Sequence, residues 1–530
     1  MKNKIVCLAL AFCMIFLCSS CKGAENTGSG EMPSQEISDS TSKKEITLLY
    51  SYNDTFNPYT ATTEANLKLS TLIYDSLVKT DNRFEPHLSL AKDYTRQDNA
   101  YTVTIKDAVF TDGSAVTADD VIYSYNIAKT HPLYMYNFYE VVSVEKQDGK
   151  TVKFNLSQND DYFINLLDFP IVKSQTSGLT TTDGKEIPPI GSGRYKLNQD
   201  NTGLEINNSY HGTIGKIAII NLINSPDSSS TSHYVEIGAT NLYYNGGDDI
   251  VRMSAKKTEV NLNRLIYIGI NSSYGPLQSK EMRYAISSAL DRTEICRSAY
   301  YNNATPAKGF FNPDFAVTKP LQTISETANN KITVENLEKI GYNNMNSNGY
   351  YANSSGSNPS FTLLVNSENS SRVAAANLIA EQLKAEGIQI TVVQCSYEQY
   401  TARLASNDFQ LYLGEVQILD NMDFSQLVIP GGTAAFGVGN AVGNQGETGT
   451  EEGLQNEQAH AVAKTPCEAI IESYRGGQCS ISDVAGVLLT EMPQIPVCYK
   501  NGVFFYDSQI SGAVESSSSD IYFSIENYEF

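Results

Sequence analysis

The sequence predicts an α/β protein with more than one domain. Residues 361–392 contain an extended apolar run, an amphipathic helical stretch and a second extended run, which is the pattern of a parallel strand-helix-strand unit. Residues 101–125 show alternating apolar residues, then an Asp-Gly turn at 112–113, then Thr117 and Asp120 spaced as a helix-capping box. The chain of 530 residues is too long for one hydrophobic core, so two or three domains are expected.

The N-terminus predicts export and lipid anchoring. Two lysines precede an apolar run at residues 5–17, which is too short to span a bilayer and is typical of a signal peptide. Small residues then precede Cys21 as in a bacterial lipobox, so Cys21 is predicted to be lipidated; an ordinary cleaved signal with an incidental cysteine is the alternative. Residues 22–44 are almost free of apolar side chains and predict a flexible tether. Residues 1–20 are thus a predicted signal peptide and residues 21–44 a lipid-anchored linker.

Hydrophobic periodicity predicts the remaining elements in order. Strands are expected where apolar residues alternate or cluster in short runs, at residues 45–52, 101–105, 152–156, 217–222, 265–270, 361–365, 388–392 and 409–413. Helices are expected where apolar residues recur every three or four positions, at residues 65–79, 117–125, 162–167, 282–290, 371–386 and 399–405. Residues 432–463 are rich in Gly, Asn, Gln and Glu, which predicts a surface loop.

Composition excludes several classes of function. A net charge of -21 argues against nucleic acid as a partner, because phosphate binding requires a basic surface. The five histidines are scattered without a metal-binding spacing, and no GxSxG motif occurs. Paired carboxylates such as Asp119 and Asp120 are adjacent in sequence and therefore do not face each other. The sequence predicts no catalytic residues, no metal and no cofactor, and hence no enzyme.

The cysteines leave one question open. Five cysteines follow Cys21, which is an odd number, and none of them lies in a CxxC motif. Cys467 and Cys479 are close enough in sequence to pair across a short loop. Buried free thiols are the alternative, and the sequence favours it over pairing.

Five motifs occur in an order that resembles one protein family. They are Tyr74-Asp75-Ser76-Leu77-Val78, the stretch at residues 85–91, the Phe-Thr-Asp-Gly and Thr-Ala-Asp-Asp-Val segments within 110–121, Gly191-Ser192-Gly193-Arg194-Tyr195, and residues 271–292. In this order they resemble the bacterial extracellular solute-binding proteins of family 5, the oligopeptide- and dipeptide-binding lipoproteins of ABC transporters. Arg194 stands where that family has proline, and tyrosine is abundant where the family often uses tryptophan.

The resemblance implies a two-lobed periplasmic-binding-protein fold of type II, with an extra domain in the first half and a hinge between the lobes. The core of lobe I is expected to be discontinuous and to comprise residues 45–56, 193–265 and 493–530. The extra domain is expected at residues 57–192, and lobe II at residues 266–492. Closure of two such lobes would bury a ligand between them.

The implied function is capture of short peptides, or a similar small solute, and their delivery to the permease subunits of an ABC importer. The protein would act as a monomer, lipid-anchored on the extracytoplasmic face of the cell membrane. Binding of another solute, such as a nickel chelate or an oligosaccharide, is an alternative, as is a role as a receptor for a peptide signal. An extracytoplasmic enzyme is the least favoured reading.

The resemblance also points to a ligand site. Peptide-binding members of the family hold the free amine of the peptide with an aspartate late in the second lobe, and residues 414–423 correspond to that stretch here. Asp420, Asp423 and Glu415 are therefore the candidate anchors, although helix-capping acids in a loop would give the same pattern. By position, the other candidate ligand-binding residues are Gln417, Tyr52, Asn53 and Tyr274.

Overall fold

The computed structural model describes residues 44–246, 255–439 and 464–530, so the predicted signal peptide, most of the linker, Cys21 and most of the predicted loop at 432–463 lie outside the described residues. The strands are β1 Lys44–Tyr50, β2 Val78–Thr80, β3 Pro86–Leu88, β4 Ala91–Gln97, β5 Ala100–Ile105, β6 Val141–Lys146, β7 Thr151–Leu156, β8 Tyr195–Leu197, β9 Gly203–Ile206, β10 Ile217–Asn224, β11 Leu242–Asn245, β12 Lys256–Ile270, β13 Ala304–Pro306, β14 Asn344–Met345, β15 Tyr351–Ala352, β16 Ser360–Asn366, β17 Gln389–Cys395, β18 Leu411–Gln417 and β19 Ile495–Tyr506. The helices are α1 Glu64–Ile73, α2 Ala118–Ala128, α3 Ser228–Glu236, α4 Lys280–Ser288, α5 Arg292–Ala299, α6 Asn330–Lys339, α7 Ser370–Ala385, α8 Tyr397–Ala405, α9 Ser425–Val428, α10 Pro466–Arg475 and α11 Ile481–Glu491.

Three sheets of four or more strands organise the described residues, and β2-β3 and β14-β15 form two small sheets beside them. The first has the strand order β1-β10-β9-β8, with β1 parallel to β10. The second is the antiparallel sheet β4-β5-β7-β6, which contains the alternating segment at 101–105. The third has the order β11-β19-β12-β18-β16-β17, with β13 added beside β19. This third sheet contains the two longest of these strands, β12 and β19, which pair antiparallel with each other.

Two separate apolar cores lie along β12 and β19. One cluster, called core I here, contains buried residues between Ile46 and Leu262 and again from Phe504 to the C-terminal segment. The other, called core II, contains buried residues between Leu265 and Tyr499, together with Phe84. Each of the two strands thus begins in one core and ends in the other, which is the two-lobed arrangement expected for this fold.

The strands change core at an irregularity in their pairing. The register of β12 against β19 shifts between Asn261 and Arg264, so that β12 carries extra residues there. Asn263 within this bulge has a φ of 50°, a left-handed conformation that asparagine tolerates better than most residues. Its side chain donates a hydrogen bond to the carbonyl oxygen of Ile418, and its carbonyl oxygen accepts one from the amide of Ile418. The crossing point is therefore held to the segment that follows β18.

The strongest local predictions are confirmed. Strands β16 and β17 are parallel and are connected by α7, which ends before Gly387. Helix α2 begins with a capping box, in which the Oδ2 atom of Asp120 accepts hydrogen bonds from the amide and hydroxyl of Thr117. Strand β5 buries Tyr101, Val103 and Ile105 on one face, as the alternation predicts.

The prediction of a helix through residue 79 is wrong beyond Ile73. Tyr74 adopts an extended conformation, and residues 78–80 form β2. The reason is tertiary, since the backbone of the Gly191-Ser192-Gly193 loop packs against the end of α1. The amide of Gly193 donates to the carbonyl oxygen of Ile73, and a Cβ atom on Gly193 would lie 2.4 Å from the carbonyl oxygen of Leu72. A second chain segment thus replaces the next turn of the helix.

The domain boundaries stay predictions, but the cores can be compared with them. The change of core on β12, between Leu262 and Leu265, is near the predicted boundary at 265. On β19 the change follows Tyr499, whereas the predicted last segment of lobe I begins at residue 493. Core I includes residues from both the predicted extra domain and the rest of lobe I without a break.

Two further features follow from the described residues. Cys296, Cys395, Cys467, Cys479 and Cys498 are all free thiols, so Cys467 and Cys479 are not paired. No helix within the described ranges has both the length and the apolar composition needed to cross a membrane.

We expect Asp120→Ala to destabilise the protein, because it removes the two hydrogen bonds that the Asp120 carboxylate accepts from the amide and hydroxyl of Thr117 in the α2 capping box. The side chain also accepts a hydrogen bond from the amide of Ser174, so that donor would lose its partner as well. A loss of about 1–2 kcal/mol in the free energy of unfolding is expected, measured by urea denaturation.

Asp119→Ala is the matched control for Asp120→Ala. Asp119 occupies the next position of the same helix but makes only an exposed ion pair with Lys146, so a change below about 1 kcal/mol is expected. Equal effects of the two substitutions would contradict the role of the capping box.

Candidate functional site

A large cavity lies where the two cores meet. Its volume is about 960 Å³, at the upper end of the range for small-ligand sites. Elements of core I contribute α1, the segment at 132–137 and the segment at 165–170, while β18 and the residues after it contribute from core II. Leu262 and Arg264 of β12 line it at the point where that strand changes core. The cavity therefore occupies the groove between the lobes.

Asp420 lines this cavity and is partly buried. Strand β18 pairs with β12 as far as Gln417, so the strand runs further than its predicted end at 413 and places Asp420 three residues beyond it. The hydroxyl of Thr80 donates a hydrogen bond of 2.7 Å to the Oδ2 atom of Asp420. Burial raises the pKa of Asp420 to about 6, because within the described residues it has no ion-pair partner.

A second partly buried acid, Asp168, lines the same cavity and was not identified from the sequence. It directly follows the apolar segment at 162–167, where an isolated acid gives no motif. The side-chain amide of Asn137 is 3.4 Å from the Oδ1 atom of Asp168. Burial, together with the negative charge of Asp420, raises the pKa of Asp168 to about 7. Two carboxylates therefore influence each other across the cavity.

Glu415 lines the cavity but has its charge compensated. Its Oε2 atom lies 2.7 Å from the guanidinium of Arg372, and its Oε1 atom is 3.8 Å from Arg264 and 3.8 Å from Lys500. Two guanidinium groups that line the cavity, those of Arg264 and Arg372, thus share the single carboxylate of Glu415. Glu415 is thus unsuited to hold the amine of a ligand, whereas Arg264 and Arg372 face the cavity as groups that bind carboxylates.

Gln417 also lines the cavity, although protein groups already engage its amide. It donates to the carbonyl oxygens of Leu262 and Ile418, and its Oε1 atom accepts a hydrogen bond of 3.2 Å from Arg264. The side chain therefore orients Arg264 rather than presenting a free group to a ligand.

Four of the candidate residues do not line the cavity. Tyr52 is 62% exposed and Asn53 is also exposed on the surface after β1. Tyr274 is 38% exposed and packs edge-on against Phe361. Asp423 accepts hydrogen bonds from the amide and hydroxyl of Ser425 at the start of α9 and pairs with Arg475 at 3.4 Å. For Asp423 the alternative of a capping acid in a loop fits its contacts.

Tyrosines do line the cavity, but not those chosen by position. Those that do are Tyr74, Tyr134, Tyr136 and Tyr244. Tyr134 directly precedes the 3-10 helix Met135–Phe138, and Tyr136 lies within it. The exposed apolar residues of this segment were the available signal in the sequence.

The negative charge of another acid that lines the cavity, Asp520, is compensated by two cations. Asp520 forms ion pairs with Arg194 and, at 2.9 Å, with Lys79. Although burial opposes ionisation, Arg194 and Lys79 lower the pKa of Asp520 to about 2. Arg194, which stands in place of the proline of the family motif, thus anchors the C-terminal segment to the cavity wall. Within the described residues no group of three or more His, Cys, Asp or Glu side chains is placed to bind a metal ion.

Comparison with known proteins agrees with this architecture. Residues 85–431 match the model of the bacterial extracellular solute-binding proteins, family 5, middle region. The oligopeptide-binding protein AppA of Bacillus subtilis is 27% identical over 424 residues, which cover 73% of this chain and 76% of AppA. The glutathione-binding protein GsiB of Escherichia coli O1:K1 is 25% identical over 52% of this chain and 57% of its own length.

Solved structures share the fold. AppA of Bacillus subtilis in complex with a nonapeptide has a TM-score of 0.56 and 20% identity, covering 92% of this chain and 98% of that one. NikA of Brucella suis in complex with Fe(III)-EDTA has a TM-score of 0.66 and 17% identity, covering 91% and 99%. Both comparisons extend over both lobes.

We expect the stability of the ligand-free protein to fall as the pH rises from 5 to 8, and Asp420→Asn to reduce this fall. A carboxyl with a raised pKa in the folded state stabilises the fold while protonated, and that contribution is lost as the pH rises through about 6. At pH 8 the variant should therefore be more stable than the wild type by about 2–3 kcal/mol, and at pH 5, midway between the unfolded and folded pKa values, by about half as much. Urea midpoints at both pH values give the measurement.

Asp423→Asn is the matched control, since Asp423 lies on the same segment but is paired with Arg475. It should not gain stability at pH 8. The explanation fails if Asp420→Asn changes stability equally at both pH values.

Proposed function

The chain belongs to the bacterial extracellular solute-binding proteins of family 5, and on this premise we propose that it captures short peptides in the cavity between its lobes. The observation that carries the proposal is the distribution of charge in that cavity. Uncompensated carboxylates line one part, and guanidinium groups with excess positive charge line another. A peptide with a free amine and a free carboxylate has the matching charges at its two ends.

Asp420 is the proposed anchor for the peptide amine. It is the acid of residues 414–423 that is both partly buried in the cavity and without an ion-pair partner among the described residues. An ammonium group would supply the missing countercharge in a site from which water is largely excluded, where such a contact is stronger than in solvent.

Arg372 and Arg264 are the proposed contacts for a peptide carboxylate. The Nε atom of Arg372 is buried and has no hydrogen-bond partner within the described part of the chain, so it retains a donor. Arg264 is partly exposed, at 39% of its side chain, and can therefore reorient toward a ligand. Both lie on the core II side of the cavity.

Three further parts of the proposal, the monomeric state, the lipid anchor and docking on a permease, rest on the sequence motifs and on membership of the family. We propose that the protein acts as a monomer, that Cys21 carries a lipid anchor on the extracytoplasmic face of the membrane, and that the closed, liganded form docks on ABC permease subunits. A lipid anchor and a flexible linker would keep the binding lobes close to such a partner. Nickel chelates, oligosaccharides and a role in peptide sensing are the competing functions.

The identity of the ligand is tested by native mass spectrometry of the purified protein, followed by thermal-shift measurements. A pool of synthetic tetra- to hexapeptides with free N-termini is compared with the same pool after N-acetylation. The proposal expects the free-amine pool to raise the Tm and the acetylated pool to have a much smaller effect. Co-purification of a metal chelate or a sugar, with no response to either pool, would replace the peptide function.

We expect Asp420→Ala to weaken the binding of a responding free-amine peptide by about 10- to 100-fold, because a charged hydrogen bond in a buried site is lost. Isothermal titration calorimetry measures the Kd. Asp423→Ala, on the same segment but outside the cavity, should bind as the wild type does. Unchanged affinity in Asp420→Ala would remove the amine anchor from the proposal.

A further inference from the structure

We propose that Asp168, Asn165 and Asp420 form one site with three acceptors for a single primary ammonium group, drawn from both lobes. This deepens the proposed function and rests on it, because the ammonium group would be the N-terminus of the bound peptide. It adds two residues of core I to an anchor that the resemblance locates in the second lobe alone.

Asn165 supplies the first geometric argument. Its side chain is 1% exposed, and its Nδ2 atom donates to two carbonyl oxygens, that of Phe84 at 3.0 Å and that of Asp420 at 3.1 Å. With both amide protons engaged, the orientation of the amide is set. The Oδ1 atom is left buried with no hydrogen-bond partner within the described residues, in a side chain that lines the cavity. A buried acceptor without a donor is unfavourable unless a ligand supplies one.

Asp168 and Asp420 retain acceptor capacity as well. Asp168 receives one long hydrogen bond from Asn137, and the side chain of Asp420 receives one from Thr80. A carboxylate accepts up to about four hydrogen bonds, so each can take another donor. Asn165 lies in the 3-10 helix Phe163–Leu166, and Asp168 follows it two residues after the end of that helix, on the same segment of core I. The hydrogen bond from Asn165 to the backbone of Asp420 brings that segment against the end of β18.

The cations near Asp168 and Asp420 do not neutralise these two carboxylates. The nearby cations of core I are engaged elsewhere: Lys79 pairs with Asp520, and Lys68 donates to the carbonyl oxygen of Ser518 and lies over the ring of Tyr244. On the core II side, Arg264 and Arg372 surround Glu415. Within the described residues neither Asp168 nor Asp420 takes part in an ion pair. The other titratable groups that line the cavity are Glu64, Tyr74, Tyr134, Tyr136 and Tyr244.

A primary ammonium group has the chemistry that this arrangement lacks. It carries one positive charge, which offsets the repulsion between the two carboxylates, and three N–H donors, one for each of the three acceptors. A secondary amide, such as an acetylated N-terminus, offers one donor and no charge. Because the acceptors come from both lobes, binding of the ammonium would also hold the lobes together.

Binding should release protons from this group. In the empty protein at pH 6.5, burial and mutual repulsion keep the pair partly protonated, since the pKa of Asp168 is about 7 and that of Asp420 about 6. The N-terminal amine of a peptide is almost fully protonated at that pH and takes up little. Formation of the ammonium complex therefore expels roughly one proton per peptide.

The test is calorimetric titration at pH 6.5 in two buffers of different ionisation enthalpy, which gives both the Kd and the number of protons released. The probe is the free-amine peptide with the largest thermal shift in the synthetic pool. For Asp168→Asn we expect binding about ten-fold weaker and proton release reduced by at least half. For Asn165→Leu, which removes the acceptor without changing charge, we expect weaker binding with proton release retained. Asp423→Asn is the control in each series.

A peptide trimethylated at its N-terminus separates charge from donors. It keeps the positive charge but has no N–H, and the three-acceptor site predicts that it binds at least ten-fold more weakly than the free amine. If the wild type binds the peptide and Asp168→Asn binds it equally well with equal proton release, this inference is overturned while the peptide function stands. If no peptide of the pool binds the wild type, the proposed function itself fails.

Discussion

Two long antiparallel strands that serve two hydrophobic cores constrain the rest of this structure. Strands β12 and β19 pack apolar residues into core I at one end and into core II at the other. Between the cores the same strands must pass through a stretch that belongs to neither, and polar residues occupy it: Asn261, Asn263, Arg264, Lys500 and Asn501. The β-bulge lies there, and Leu262 and Arg264 face the cavity at the same place. The cavity and the crossing point thus coincide because one feature of the backbone creates both.

Charge compensation divides the acids of the cavity into two kinds. Asp520 and Glu415 are each surrounded by cations, and these networks connect distant segments, such as Arg194 and the C-terminal residues. Asp168 and Asp420 are partly buried without such partners among the described residues, which costs stability whenever they are ionised. Natural proteins retain unfavourable buried groups mainly where a ligand or a reaction uses them. The compensated acids hold the structure, and the uncompensated pair is the part of the cavity that a ligand can satisfy.

Outside the cavity, a few individual hydrogen bonds also connect the two lobes. The side chain of Asn421 donates to Asp160, and the backbone amide of Asn159 donates to the carbonyl oxygen of Arg475. Asn159 also donates to the carbonyl oxygen of Tyr474. Polar contacts of this kind exchange readily for contacts with water, so they can form and break during domain closure. A ligand that contacts both walls of the cavity adds the interactions that favour the closed form.

Sequence alone determined the local elements and the family. The capping box of α2, the alternation in β5 and the β16-α7-β17 unit depend on contacts within a few residues, so their patterns are visible in the chain. The family motif also pointed to residues 414–423, with Asp420, Asp423 and Glu415 as candidates. Tertiary structure decided where α1 ends, because a distant glycine loop replaces its next turn, and it decided which acids lie beside cations. Asn165 and Asp420 are 255 residues apart and form a hydrogen bond only in the folded protein. Whether the charge of an acid is compensated depends on which charged groups the fold places beside it. The local sequence around the acid does not determine this.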